Sequence, residues 1–240
     1  MGVMKRNYFQ IGEISSLDFG VVISSADVFG SPKRVYEEVA IPGRNGSILF
    51  DEGYYDNVKV TYECQLINQD REMDDFRAWI MSQTGYVRIE DTYHPQEFRI
   101  GYVDGEVSGE MSGWNLRHGS FRVTFSCKPQ RFLKTGEVGT EYVNNFTIFN
   151  PTYYEAKPKF RIFGRGTLGI GSYNIVIANH SLEYIDIDCA VGDCYCGAVN
   201  ANQYITLSGS EYPGLASGAT NITLDSHMTS IILYPGWWTL

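Results

Sequence analysis

The sequence predicts a mainly β protein of two domains, and three observations carry that expectation. The 240 residues include 17 Tyr, 13 Phe and 4 Trp beside 25 Gly, a mixture suited to strands and turns more than to helices. Apolar and polar residues alternate with period two in several segments, while a single segment carries an apolar stripe at helical spacing. At a soft scale of ~150 residues per domain, the length allows one large domain or two ordinary ones. With 43% hydrophobic and 20% charged residues, the chain is globular and neither disordered nor fibrous. It is long enough to bury a core without staples.

The expected arrangement is an N-terminal β-rich domain over residues 1–130, with one α-helix and a projecting hairpin, and a C-terminal β-sandwich over residues 131–240. In the first half, Glu38–Ile41 and Ser47–Phe50 flank Pro42-Gly43-Arg44-Asn45-Gly46. Asn-Gly between apolar-containing runs signals a hairpin because both residues tolerate positive φ. Pro42 cannot donate to a ladder and belongs at a strand end or edge. Val58 to Leu66 alternates cleanly, with Val58, Val60, Tyr62, Cys64 and Leu66 on one face. Phe121, Val123, Phe125 and Cys127 repeat the pattern.

Between those strands, about Asp70 to Thr84, Met73, Phe76, Trp79 and Ile80 form the apolar stripe of a helix. Asn68 or Asp70 is its expected cap and Gly85 its expected stop. A boundary is expected near Lys128-Pro129-Gln130-Arg131. Beyond it, short strands are expected at Tyr142–Phe149, Lys157–Phe163, Ser172–Ala178, Tyr184–Cys189, Gln203–Leu207, Asn221–Leu224 and Ser230–Tyr234. About seven short strands separated by turns, with no long helix, suggest a sandwich.

Composition also bounds the partners. The 19 Lys and Arg against 28 Asp and Glu give a formal net charge of -9. No basic run is present, which argues against sequence-specific nucleic-acid binding. No apolar run approaches the ~20 residues of a membrane span, and the start lacks the apolar stretch of a signal peptide. Cys64, Cys127, Cys189, Cys194 and Cys196 are an odd set in a chain that needs no disulfides, so reduced thiols and synthesis in a cytosol are expected.

A catalytic set is not found. The chain has no G-x-S-x-G elbow, phosphate-binding loop or H-E-x-x-H. Gly164-Arg165-Gly166 and Gly169-Ile170-Gly171 complete no dinucleotide fingerprint and read as turns. Cys189, Cys194 and Cys196, with His180 upstream, evoke a zinc site, but the spacing lacks paired C-x-x-C motifs, and buried thiols near a hairpin are the simpler reading. Asp186 and Asp188 would share a strand face about 7 Å apart, within glycosidase range; acids on a wet face, with Asp188 holding turn amides, are the plainer account. His94, His118 and His227 sit beside loop or turn residues without a neighbouring nucleophile. No cofactor and no metal are expected. Tyr54-Tyr55, Tyr153-Tyr154 and Trp237-Trp238 pair neighbouring rings. Outward members would serve as interface anchors or sugar platforms, whereas a bend would let both rings pack.

Several motifs, in order, resemble the distal tail protein family of long-tailed phages with non-contractile tails. Gly12-Glu13-Ile14-Ser15-Ser16-Leu17-Asp18-Phe19-Gly20 resembles its opening segment, and Pro42-Gly43-Arg44-Asn45-Gly46 its V-P-G-R-N-G hairpin, with Ala40-Ile41 a small departure. Phe125-Ser126-Cys127-Lys128-Pro129-Gln130-Arg131-Phe132 is similar to its domain end, and Phe149-Asn150-Pro151 through Ala156-Lys157-Pro158 to the start of its second domain. Ile185-Asp186-Ile187-Asp188, Tyr212-Pro213-Gly214-Leu215 with Gly218-Ala219-Thr220-Asn221, and Pro235-Gly236-Trp237-Trp238 continue the series, Gly236 replacing a usual cation.

The resemblance implies a structural role. Members form a hexameric ring at the tail tip, built by the N-terminal half around a channel, with a galectin-like C-terminal sandwich projecting outward. The ring joins the tail tube protein to the tail-associated hub protein and often docks receptor-binding proteins. It implies a virion protein, made in the host bacterial cytoplasm. Ring closure needs heterologous contacts, and the hairpin at Glu38–Phe50, with Pro42, Gly43, Arg44, Asn45 and Gly46 at its tip, is the expected subunit contact. Negative charge suits a wall past which DNA moves unheld. The rival expectation is a sugar-binding sandwich gripping wall polysaccharide through Tyr153, Tyr154, Trp237 and Trp238; a third is a glycan hydrolase using Asp186 and Asp188.

Overall fold

A computed structural model describes residues 6–67, 73–112 and 118–240. The chain divides into two compact units, Met1–Arg131 with Leu240, and Phe132–Thr239. The first unit runs β1 (Phe9–Ile11), β2 (Ile14–Ser15), β3 (Val21–Asp27), β4 (Arg34–Ala40), β5 (Ser47–Tyr55), β6 (Val58–Leu66), α1 (Met73–Met81), β7 (Val87–Asp91), β8 (Glu97–Val103), β9 (Ser108–Ser112) and β10 (His118–Leu133). Its sheet has the order β2-β1-β7-β8-β10-β6-β3, with β9 also on β10. β10 continues as one strand through Pro129.

The alternation read from the sequence is visible as burial. Val58, Val60, Tyr62, Cys64 and Leu66 are buried, and Phe121, Val123, Phe125 and Cys127 face the same core across the β6–β10 ladder. α1 lays Phe76, Trp79 and Ile80 over that face. Phe9 ties the rings together, stacking on Tyr62 at 5.2 Å and meeting Phe125 edge-on at 5.6 Å.

The helix ends earlier than its stripe predicts. It ends at Met81, because the Ser82 hydroxyl and the Gln83 amide both donate to the Trp79 carbonyl, at 2.7 and 3.0 Å. Side chains thus take over an acceptor that the next turn would have used. Gly85 does adopt φ 70, but in the bend leading to β7 rather than as the helix cap. The expected caps Asn68 and Asp70 lie outside the described residues.

The second unit runs β11 (Thr140–Tyr142), β12 (Phe146–Asn150), β13 (Lys159–Gly164), β14 (Gly166–Ile170), β15 (Tyr173–Ile177), β16 (Ile185–Asp188), β17 (Asp193–Cys196), β18 (Val199–Asn200), β19 (Ile205–Leu207), β20 (Gly218–Leu224), β21 (Met228–Tyr234) and β22 (Trp238–Thr239). Two antiparallel sheets, β11-β21-β13-β16-β17-β18 and β12-β20-β14-β15-β19, enclose one core. Phe160, Ile162, Ile185, Ile187, Ile231 and Leu233 come from one sheet, and Leu168, Ile170, Ile175, Ile177 and Ile222 from the other. This is a sandwich.

Two strand expectations are corrected. Tyr142–Phe149 is two strands in different sheets: β11 pairs with β21 and β12 with β20. The crossing is held where the Asn145 side-chain oxygen accepts from the Leu224 amide at 2.8 Å, and the Tyr142 and Phe146 rings stack across it. Gly166–Ile170, read as turn glycines, is the central strand β14. Gly169 stands in its middle because a Cβ there would collide with the Thr223 side chain.

Candidate subunit interface

β4 and β5 form a two-stranded sheet of their own, separate from both units' larger sheets. The chain reverses through residues 41–46. The Arg44 amide donates to the Ile41 carbonyl at 3.1 Å, with Pro42 and Gly43 between and Gly43 at φ 80. Proline at the second position and a positive-φ glycine at the third is type II chemistry. The dipeptide that makes the hydrogen-bonded turn is therefore Pro42-Gly43; Gly46, at φ 81, turns the chain back into β5. The strands extend well beyond the expected Glu38–Ile41 and Ser47–Phe50.

The hairpin buries almost nothing. Every residue from Tyr36 to Ser47 is exposed, and Leu49, Phe50 and Tyr54 are 54%, 53% and 55% exposed. The register places Val39 opposite Ile48 and Glu37 opposite Phe50, so over these pairs one face reads Val39, Ile48 and Phe50 with Glu37. The other face carries Tyr36 and Leu49 with Glu38 and Asp51. Fully burying a large apolar side chain is worth about 1.5–3 kcal/mol, so this half-exposed set leaves several kcal/mol unrealised.

The base of the hairpin is stapled. The Arg34 guanidinium donates to both Asp51 oxygens, with Nε at 2.9 and 2.8 Å, and to the Tyr55 hydroxyl at 2.8 Å. Its hydrogen bonds to Asp51 and Tyr55 raise its own pKa, and the Arg34 bond holds the Asp51 carboxyl below its usual range. The ladder shifts register between Arg34 and Tyr36, next to this staple. A two-stranded ribbon is marginal in water; this one is stapled at its base and leaves Leu49, Phe50 and Tyr54 more than half exposed.

Asp186 and Asp188 have structural partners. Asp186 is buried on the outer side of β16 and takes two bonds from Arg161, at 2.7 and 2.9 Å, with the Lys159 ammonium at 3.4 Å. Burial pushes this carboxyl up, but Arg161 and Lys159 outweigh it and hold it below its usual value. Asp188 accepts from the Ala190 and Val191 amides at 3.0 and 3.1 Å. One carboxylate is locked in ion pairs and the other holds a turn, which leaves no acid–base pair.

Cys189 and Cys194 are buried; burial pushes the Cys189 thiol up to about 12, and Cys194 lies 3.3 Å from the Tyr212 hydroxyl. His180 bonds instead to the Gly164 carbonyl at 3.0 Å. Among the described residues no group of His, Cys, Asp and Glu is placed to hold a metal. His94 lies 3.6 Å from Asp91, and His227 bonds to Asp225 at 2.8 Å. The side chain of His118 lies outside those described.

The aromatic platform is corrected too. Trp237 is buried in the sandwich core, and Trp238 stacks on Tyr154 at 4.6 Å while its indole N–H donates to the Glu155 carbonyl at 3.0 Å. Tyr153 alone of the four is fully outward. A bend at Gly236, φ 69, lets both tryptophans pack.

This fold is one found in phage hub and baseplate proteins. The chain is similar to the SPP1 Dit (gp 19.1) protein, described as a paradigm of the hub adsorption apparatus in phages infecting Gram-positive hosts: the TM-score is 0.72 at 12% identity, over 98% of this chain and 100% of that one. It is also similar to chains of the phage P2 baseplate in its activated conformation. With Ca the TM-score is 0.52 at 13% identity, over 96% of this chain and 98% of the other; with Sr it is 0.51 at 13%, over 97% and 98%. No protein-family model and no curated protein sequence matches the chain. Among the described residues no helix is long and apolar enough to cross a membrane.

Proposed function

We propose that the chain is a structural distal tail protein that closes into a hexameric ring at the tip of a non-contractile phage tail. The observation that carries the reading is the β4–β5 hairpin, stapled by Arg34 and Asp51 and left exposed among the described residues. Each copy offers this hairpin to a different patch on the next, a heterologous contact that closes when the rotation does. Pro42, Gly43, Arg44, Asn45 and Gly46 form the reaching tip. An obligate contact of this kind buries more than about 2,000 Å². The end-to-end likeness to a phage hub protein supports the same reading.

In this role the ring joins the tail tube protein above to the tail-associated hub protein below, with room for receptor-binding proteins on its periphery. The N-terminal unit supplies ring contacts and the C-terminal sandwich stands as a galectin-like outer domain. The net charge of -9 suits a conduit that must not hold DNA. Native mass spectrometry of the purified chain tests the proposal: a six-copy mass is expected, and a chain that remains single at high concentration contradicts it.

A further inference from the structure

The two outer faces of the sandwich differ in chemistry. On the six-stranded sheet, Lys159, Arg161 and Asp186 are charged and paired with one another, and Arg161 lies over the Tyr184 ring at 4.2 Å. The five-stranded sheet has no such set: none of β12, β14, β15, β19 and β20 contains a charged residue. Its exposed outward positions are mostly hydroxyls and amides, among them Thr147, Thr167, Asn174, Thr206, Asn221 and Thr223, with the apolar Val176, 44% exposed, between Thr167 and Thr206. A solvated sheet face ordinarily carries charge for solubility and against edge pairing. This one forgoes it across five strands.

The middle of the face is shaped. Gly169 contributes no side chain, and the Thr223 hydroxyl and the Asn174 side-chain oxygen converge over the position its Cβ would take. The Asn174 backbone amide donates to the Ser208 hydroxyl at 2.9 Å, and among the described residues no hydrogen bond engages its side-chain amide. At one margin Phe149 holds its ring 68% exposed beside the small Ala219, so the ring face is bare.

We propose that the outer face of the five-stranded sheet docks a neutral polysaccharide, with Asn174 and Thr223 bonding sugar hydroxyls and Phe149 stacking on a sugar ring. Side-chain amides and hydroxyls both donate and accept, as a sugar hydroxyl does. An exposed ring suits the C–H face of a pyranose. A phosphate- or carboxylate-bearing polymer would call for Arg or Lys, and the strands supply none. A protein partner would favour an apolar centre with aromatic and Arg anchors, whereas Val176 here stands as a small apolar side chain between Thr167 and Thr206, with neither an aromatic ring nor an Arg on the strands beside it.

Affinity electrophoresis of the full chain in gels cast with a soluble β-glucan, a dextran, a mannan or a galactan tests the inference, with polyglycerol phosphate as the anionic control. Retardation by at least one neutral polymer and none by the anionic one is expected. Thr206→Glu combined with Thr167→Glu, at exposed positions, should weaken binding about tenfold or more with unchanged melting temperature, and Phe149→Ala should weaken it independently. No retardation by any neutral polymer, equal retardation of the charged variant, or binding to the anionic polymer alone would overturn it. A shift in oligomer mass caused by these face variants would instead make the face an interface between copies, and overturns it equally.

Discussion

Replacing Asn150 with Ala removes more than a side chain. Asn150 is buried and fully engaged: its amide nitrogen donates to the Tyr154 and Leu215 carbonyls, each at 2.9 Å, and its oxygen accepts from the Thr152 amide and hydroxyl, each at 2.9 Å. Alanine would leave the Thr152 amide without a partner and take one of two donors from the Tyr154 and Leu215 carbonyls, which keep the Thr152 hydroxyl and the Ala156 amide. At a net of about 1 kcal/mol per hydrogen bond, rising toward 3 kcal/mol for each buried group left unmade, the loss should reach about 3–5 kcal/mol. For a unit of this size that lowers the melting temperature by more than about 12 °C. Denaturant unfolding followed by tryptophan fluorescence reads it, since Trp237 is buried in the same unit. Asn150→Asp separates bonding from volume: it keeps the acceptor half but sets a carboxylate oxygen against two carbonyls, so it should cost at least as much. A loss below about 1 kcal/mol for Ala, or an Asp variant near wild type, would refute the role given to this residue.

Acid dependence offers a second test. Asp186 is held below its usual value of 3.8, so its contribution is complete above that value and is lost as pH falls through the lower folded value. The stability gap between wild type and Asp186→Asn should therefore be widest near neutrality and close in acid; a gap constant with pH contradicts the pairing. Gly43→Val and Gly46→Val place a β-branched residue at φ 80 and 81, where a Cβ meets no other atom. The penalty is backbone strain alone, about 1–2 kcal/mol each, and sedimentation should show assembly weakened more than monomer unfolding; equal loss of both would make the hairpin internal. Gly169→Ala should destabilise the sandwich by at least about 1 kcal/mol through the clash with Thr223, read by thermal unfolding, and a neutral result would refute the close approach.

Regular alternation was the legible part of the fold. Val58–Leu66 and Phe121–Cys127 announce one buried face each because they pair with each other over one core. The hairpin was legible through its turn residues, although Pro42-Gly43 rather than Asn45-Gly46 closes the hydrogen-bonded turn. β14 was not legible, since glycine marks turns locally while Gly169 is required by Thr223 on a strand distant in sequence. The split of residues 142–149 was hidden for the same reason: a three-residue crossing keeps the apolar rhythm on both sides.

At the candidate sites, residue types suggested more chemistry than their neighbours allow. Asp186 reads as a wet acid until Arg161 is seen opposite it, and Trp237 as a surface ring until Gly236 turns it inward. The Arg34–Asp51 staple had no sequence signal, because a register shift brings the two together.

A photo-crosslinking amino acid at Phe50, on the apolar hairpin face, tests the reach between copies most directly. Illumination of the assembled chain should give covalent dimers, with the adduct peptide shown by isotope-mixed subunits to come from a second copy. A crosslink formed only within one chain, or none at assembly concentrations, would mean that the hairpin does not link subunits.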